Sequence, residues 1–274
     1  MTMEARIGLP QNAETKSRTI HSGTWTYRYG YIRSSDCRQS GDPGQDYVAF
    51  EDKSGALAFV VCDGISLSYY GDIAARFAGD KLLDWLGSED ARHGGPAVVR
   101  QSLERMLQEA AGECASLLDR HTYPASLPAI VKEALDAKKR LGSGTVFACG
   151  RLDPPGGQYP GGRMLLAWLG DVRVRWWGKD GEFTYRDPST IDTRHQWNSS
   201  DGTVGGGPWI HIEDRLASAG RNGELLVYSD GLAALDAFRT IDAVTLERVL
   251  ERESLHPSSD DMSYKLIRWN FNLV

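Results

Sequence analysis

No stretch of this chain approaches the roughly 18 consecutive apolar residues that a membrane span requires. The N-terminus also lacks the short apolar core of a secretory leader. An excess of basic charge is missing too: 31 Lys and Arg face 37 Asp and Glu, for a net charge of −6. That balance excludes a nucleic-acid binder held mainly by phosphate contacts. Cysteine is scarce, and Cys37, Cys62, Cys114 and Cys149 show no metal-ligand spacing. They are expected to be free thiols in a reducing compartment, which places the protein in the cytoplasm. No internal repeat and no clean linker divide the 274 residues, a length compatible with one large domain. That domain is expected over residues 23–274. Residues 1–22, polar and aperiodic, read as a mobile lead-in.

What the chain does have is one strand ending, used three times. The apolar run Leu57-Ala58-Phe59-Val60-Val61-Cys62 closes on Asp63-Gly64, Leu165-Leu166-Ala167-Trp168-Leu169 on Gly170-Asp171, and Leu225-Leu226-Val227-Tyr228 on Ser229-Asp230-Gly231. Short continuous apolar runs suit strands covered on both faces. Two further carboxylate positions open strands: Asp46 before Tyr47-Val48-Ala49-Phe50, and Asp260-Asp261 before Met262. The turn residues Asp52-Lys53-Ser54-Gly55 predict an antiparallel hairpin of 47–51 with 56–62, which brings Asp46 beside Asp63. Antiparallel placement likewise brings Asp230 to Asp260. Clustered carboxylates repel and take up protons unless a cation neutralises them. An all-oxygen cluster suits a hard ion such as Mg²⁺ or Mn²⁺.

Between these runs lie three predicted helices. One carries Ala74, Phe77, Ala78, Leu82, Trp85 and Leu86 on a single face. A second starts at Pro96, a favoured first-turn residue, and carries Val99, Leu103, Met106, Leu107, Ala110, Cys114 and Leu117. The third, over 127–141, carries Leu127, Ile130, Val131, Ala134 and Leu135. All three stripes are expected in the core. Residues 34–44 read as a loop, with Arg33 and Arg38 as candidates to grip a phosphoryl group, since a guanidinium matches its oxygens in a fork. Residues 163–169, 172–177 and 182–185 read as a meander, and 187–208 as a long polar loop. Strands, then helices, then mostly strands is an α+β order. A two-sheet antiparallel sandwich with helices outside, αββα, would bury these elements.

Five motifs then stand in a telling order: Phe59-Val60-Val61-Cys62-Asp63-Gly64, Gly142-Ser143-Gly144-Thr145, Trp168-Leu169-Gly170-Asp171-Val172-Arg173, Leu226-Val227-Tyr228-Ser229-Asp230-Gly231-Leu232 and Ser259-Asp260-Asp261-Met262-Ser263. In order and approximate spacing they resemble the metal-dependent type 2C serine/threonine protein phosphatases, in a divergent form of the bacterial type. Gly44-Gln45-Asp46 is similar to that family's first acidic motif. The family fold is an αββα sandwich, the same architecture the element order predicts.

The resemblance implies roles. Asp63 would bridge two ions, with the Gly64 carbonyl as a further ligand, and Asp46, Asp230 and Asp260 would complete the site, partly through water. Asp171 matches the carboxylate used for a third, weaker ion. Hydrolysis would proceed by a water activated between two metal ions, with Asp63 and Asp230 central to catalysis and Arg38 as phosphate ligand. The substrate would be a phosphoprotein bearing phosphoserine or phosphothreonine, a kinase or kinase target. Three features depart from the pattern, the first being that the arginine before the acidic motif is displaced, to Arg38. Ser68 stands where the family's proposed general-acid histidine falls, and Gln45 where glutamate is common. Those departures keep open a second function, a pseudophosphatase that binds a phosphoprotein without efficient turnover.

Overall fold

The computed structural model describes residues 5–122, 126–183, 192 and 194–271. Its strands form two sheets. The first joins β1 (Ala5–Gly8), β4 (Tyr47–Lys53), β5 (Ala56–Gly64), β6 (Gly144–Asp153), β7 (Arg163–Leu169) and β12 (Trp209–Glu213). A small hairpin of β10 (Gln196–Asn198) and β11 (Gly202–Val204) pairs with the first two residues of β6. The second sheet runs β2 (Thr15–Ser22), β3 (Trp25–Ile32), β14 (Met262–Asn270), β13 (Asn222–Tyr228), β8 (Arg173–Gly178) and β9 (Gly181–Phe183). The helices are α1 (Ser35–Ser40), α2 (Gly71–Leu86), α3 (Glu89–His93), α4 (Pro96–Arg120), α5 (Ala129–Leu141), α6 (Leu216–Ala219) and α7 (Ala243–Ser254), with a 3-10 turn at Asp230–Ala237.

The period-2 alternation of the strands explains the layering. Along β5, Leu57, Phe59 and Val61 enter the core between the sheets, together with Tyr27, Tyr29, Val227 and Ile267. Ala58, Val60 and Cys62 face the other way and pack with Leu82 and Leu86 of α2 and Leu103 and Leu107 of α4. Along β14, Met262, Tyr264 and Leu266 pack on Leu246 and Leu250 of α7. Apolar residues on both faces are what made these strands read as continuous runs. The layers are therefore helix, sheet, sheet, helix, the predicted αββα sandwich.

The predicted hairpin forms in the expected register, with Tyr47 opposite Cys62 and Lys53 opposite Ala56. Ser54 and Gly55 make its two-residue turn with φ of 53° and 83°, the positive angles a type I′ turn requires. All four cysteines are free thiols, and all but Cys37 are buried. Among the described residues no helix is long and apolar enough to cross a membrane.

Several expectations are overturned. The described part of the presumed lead-in is not mobile: β1 pairs with β4 and β2 with β3, so residues 5–22 enter both sheets. β2 is an edge strand with one face to solvent, and its alternation is of polar residues, which an apolar pattern cannot reveal. The presumed meander is split, because β7 lies in the first sheet and β8 in the second, with Gly170-Asp171-Val172 as the crossing. Within the polar stretch before 208, β10 and β11 are strands, three residues each and too short to show a period. Part of that stretch lies outside the described residues. The loop at 34–44 contains α1, capped by the Ser34 hydroxyl. Finally, α5 buries none of its residues: Ile130 is 76% exposed, and only Leu135 is packed against the helical core.

One ionisable side chain breaks the alternation. Lys265 points from β14 into the core between the sheets and is fully buried. Its Nζ lies 3.2 Å from the Phe50 ring centre and 3.9 Å from that of Tyr27. Burial pushes its pKa well down, and the Asp52 carboxylate only partly opposes this.

Candidate functional site

Four strand ends meet at one edge of the sandwich. Asp63 is the penultimate residue of β5, and Asp46 immediately precedes β4, its hairpin partner. Asp230 follows β13, Asp260 precedes β14, and these two strands pair with Tyr228 opposite Tyr264. Asp171 sits where the chain crosses between sheets, after Gly170 at a φ of 88°. Asp63, Gly64, Asp171, Asp230 and Asp260 all line one open cavity of about 310 Å³, together with Ile65, Ser66, Leu67, Val146 and Gln196. The cavity is lined by four carboxylates and, among the described residues, by no Lys, Arg or His. Asp46 lies behind it, buried, and neither of its carboxylate oxygens accepts a hydrogen bond.

Local contacts hold this edge rigidly. The Thr145 hydroxyl donates to the Asp63 carbonyl at 2.7 Å, which fixes the end of β5 against β6. A Cβ on Gly64 would stand 2.5 Å from the Gly71 carbonyl oxygen and 2.8 Å from that of Gln45, so only glycine lets the three segments close up here. Ser143 donates from its hydroxyl to the Tyr70 carbonyl, 2.8 Å, and from its N–H to the Ser199 hydroxyl, 2.9 Å. The Gly-Ser-Gly-Thr motif thus clamps the edge rather than lining the cavity.

The electrostatics follow from the geometry. Burial, then the negative charges of Asp46, Asp230, Asp171 and Asp260, hold the Asp63 carboxyl well above the usual carboxylate range. Burial and then Asp261 do the same to Asp46, with some relief from the Ser229 and Ser263 hydroxyls nearby. Burial also raises Asp260, against the Asp261 N–H that its carboxylate accepts. Asp171 is raised by burial and by Asp230, and Arg173 opposes the shift. A cluster in this state is stabilised by any cation that enters it.

Its donors are all oxygen, the chemistry of a hard divalent ion, and the buried oxygens of Asp46 accept no well-formed hydrogen bond. Among the described residues, no three His, Cys, Asp or Glu side chains stand close enough together to hold an ion between them. The residues therefore fit a hydrated ion, reached partly through water, rather than a closed cage of side chains.

Two expected roles meet a different geometry. Arg38 does not line the cavity. Its guanidinium donates to the Ser254 carbonyl at 2.8 Å and the Ser259 hydroxyl at 3.1 Å, because α1 turns it toward the end of α7. Arg33 is held by Glu14 at 2.9 Å and the Asp42 carbonyl at 3.1 Å. Ser68 is committed as well: its hydroxyl donates to the Ile65 carbonyl at 2.7 Å and accepts from the Gly144 N–H at 3.1 Å.

Other residues go beyond the sequence reading. Arg173 stands 3.7 Å from the Asp171 carboxylate and 3.7 Å from that of Asp236. It was visible within its motif, but nothing in the spacing showed which arginine would face the edge. Asp261, next to Asp260, does structural work: it accepts from the backbone N–H of Gln45 at 2.6 Å and of Ser34 at 2.7 Å. In a pair of adjacent aspartates, sequence cannot say which one turns inward.

No protein-family model matches the chain, and no curated protein sequence matches it. Solved structures do. A bacterial serine phosphatase superposes with a TM-score of 0.56 at 14% identity, over 89% of this chain and 97% of that one. The serine/threonine phosphatase Stp1 from Staphylococcus aureus gives 0.55 at 16% identity, over 88% and 93%. RsbX, crystallised in complex with magnesium, gives 0.52 at 11% identity, over 93% and 100%. At these identities the likeness is one of fold, and the fold is that of bacterial serine/threonine phosphatases, as the five motifs implied.

Proposed function

We propose that this chain is a metal-dependent phosphoprotein phosphatase that hydrolyses phosphoserine and phosphothreonine. The observation that carries the reading is the open cavity lined by four carboxylates and, among the described residues, no basic side chain, at the meeting of four strand ends. The named activities of the structural neighbours, and the magnesium in one of them, support it. Asp63, Gly64, Asp46, Asp230 and Asp260 would hold two Mn²⁺ or Mg²⁺ ions, and Asp171 a third. Bound ions would lower the pKa of a water and neutralise the phosphoryl oxygens.

The chain's own residues supply position. Thr145 fixes the end of β5, so the Asp63 carboxylate is presented to the cavity in one orientation. Arg173 holds the crossing segment by donating to the Asp171 carbonyl at 2.5 Å. Gln196, on the lining, offers an uncharged amide to a phosphoryl oxygen. The substrate would be a phosphoprotein in the cytoplasm, a kinase or a kinase target.

A second reading, phosphoprotein binding with little turnover, is favoured by one observation. Among the described residues no histidine lines the cavity, and the Ser68 hydroxyl is already bonded on both sides. Protonation of a leaving alkoxide then lacks a donor, a loss of roughly 10²–10⁴-fold. An aryl phosphate leaves as a stabler anion and suffers less.

Protein stripped with chelator and titrated with Mn²⁺ or Mg²⁺, assayed on an aryl phosphate and a phosphothreonine peptide, separates the readings. Metal-restored hydrolysis of both, with aryl turnover favoured, is expected. Ion binding with no hydrolysis of either substrate would establish the binding module, and absence of ion binding would reject the site.

A further inference from the structure

The cavity poses a problem for its own substrate. Bound ions would offset the four carboxylates, but the substrate chain around the phosphate still meets a protein of net charge −6. Positive potential at the rim would steer it. The last turn of α5 carries Lys138, Lys139 and Arg140. Lys138 Nζ lies 3.4 Å from the Ser66 carbonyl, so this turn abuts the loop whose Ser66 and Leu67 line the cavity. Lys139 is paired with Asp119 at 3.3 Å, whereas Arg140 is exposed. Beside these cations the rim is apolar: Leu67 is 82% exposed and Leu141 72%.

Basic residues in a last turn commonly complement the helix dipole, and single exposed leucines are ordinary. Here, however, both features occur together, on a helix that buries no side chain, and they continue directly into the cavity lining.

We infer that the last turn of α5 and the Leu67 loop form a docking surface for the substrate chain that flanks the phosphorylated residue. Lys138 and Arg140 take acidic side chains, and Leu67 takes an apolar one. The partner is thus a phosphoprotein segment with acidic residues next to its phosphorylated serine or threonine. This rests on the phosphatase reading, since the surface is defined by its continuity with that cavity.

The test uses two phosphothreonine peptides, one flanked by acidic residues and one by neutral ones, with an aryl phosphate as a substrate that has no flanking chain. The full-length protein is compared with the Lys138→Glu/Arg140→Glu variant and with the milder Lys138→Gln/Arg140→Gln. Preference for the acid-flanked peptide in KM is expected to fall roughly three- to tenfold in the charge-reversed protein, and less in the neutral one. Added salt should erode the same preference. In parallel, fluorescence anisotropy in chelator measures peptide binding without turnover and should show the same loss. Equal effects on both peptides, or unchanged binding of the acid-flanked one, would overturn the docking surface. Wild-type protein that hydrolyses none of the substrates would sink only the phosphatase reading, and the anisotropy would still decide the surface.

Discussion

Lys265 and Asp63 are both ionisable groups withdrawn from bulk water in the same sandwich, and they meet opposite circumstances. Lys265 is sealed between the sheets, where the rings of Phe50 and Tyr27 surround its Nζ. Nothing from outside can reach it, so burial pushes its pKa well down and the Asp52 carboxylate only partly opposes this. Asp63 and its neighbours lie at an edge where the strands end and the cavity opens to solvent. Their charge can be met by an ion that enters and leaves. The difference is one of access rather than of chemistry. Buried charge in a closed core is a burden on stability, whereas charge at an open strand edge can be neutralised by an ion from solvent.

The strongest way to break the comparison is at the open edge. Asp63→Asn keeps the shape and removes the central charge. Its metal-dependent hydrolysis should fall by about 10³-fold or more. The rise in melting temperature expected of the wild type with Mn²⁺ should vanish as well. Thermal scans with and without ion check both, and an unchanged metal response would show that the cluster is not the ion site.

A smaller effect separates neighbours in sequence. Asp261→Ala leaves the N–H groups of Ser34 and Gln45 without their acceptor. Urea unfolding of metal-free protein should show a loss of about 2–4 kcal/mol. Asp260→Ala, whose carboxylate faces the cavity and accepts one backbone N–H where Asp261 accepts two, should cost the metal-free fold less and weaken the response to Mn²⁺. Similar unfolding curves for the two variants would erase the distinction between the aspartate that ties two loops and the one that faces the cavity.

At the sealed site the expected sign is reversed. Lys265→Met replaces a buried amine by an apolar side chain of similar length and should stabilise the protein by about 1–3 kcal/mol at neutral pH. The wild type's pH dependence sharpens this. Below its unfolded value of 10.5, Lys265 binds a proton more readily in the unfolded chain than in the folded one. Stability should therefore rise as pH climbs from the lowered folded pKa toward 10.5, and level off beyond it. In Lys265→Met that rise should be flatter, and equal slopes in the two proteins would show that Lys265 is charged in the fold.

Much of this was legible from residues alone. The apolar runs that end in Asp63, Asp171 and Asp230 are strands, and the Ser54-Gly55 turn set the register that places Asp46 by Asp63. The stripes of α2 and α4 are core apart from Leu117, which is 38% exposed. The stripe of α5 has the same spacing yet remains outside it. Amphipathic period shows that a helix has an apolar face, not that another surface is available to cover it. Likewise β2 and β10 carry no apolar alternation, and they become strands only because an edge of a neighbouring strand is free to pair with them.

The sequence by itself determined what depends on neighbours along the chain: that the apolar runs are strands, where those runs end, and that carboxylates stand at those ends. Backbone period and turn stereochemistry are local, so a local pattern suffices to read them. Only the tertiary structure decided which side chains share a cavity: that Asp260 faces it while Asp261 ties two loops, that Arg38 turns toward α7 while Arg173 stands at the edge, and that Ser68 is bonded in place. Those outcomes depend on the direction of a side chain relative to segments tens to hundreds of residues away, and that direction is set when the two sheets pack.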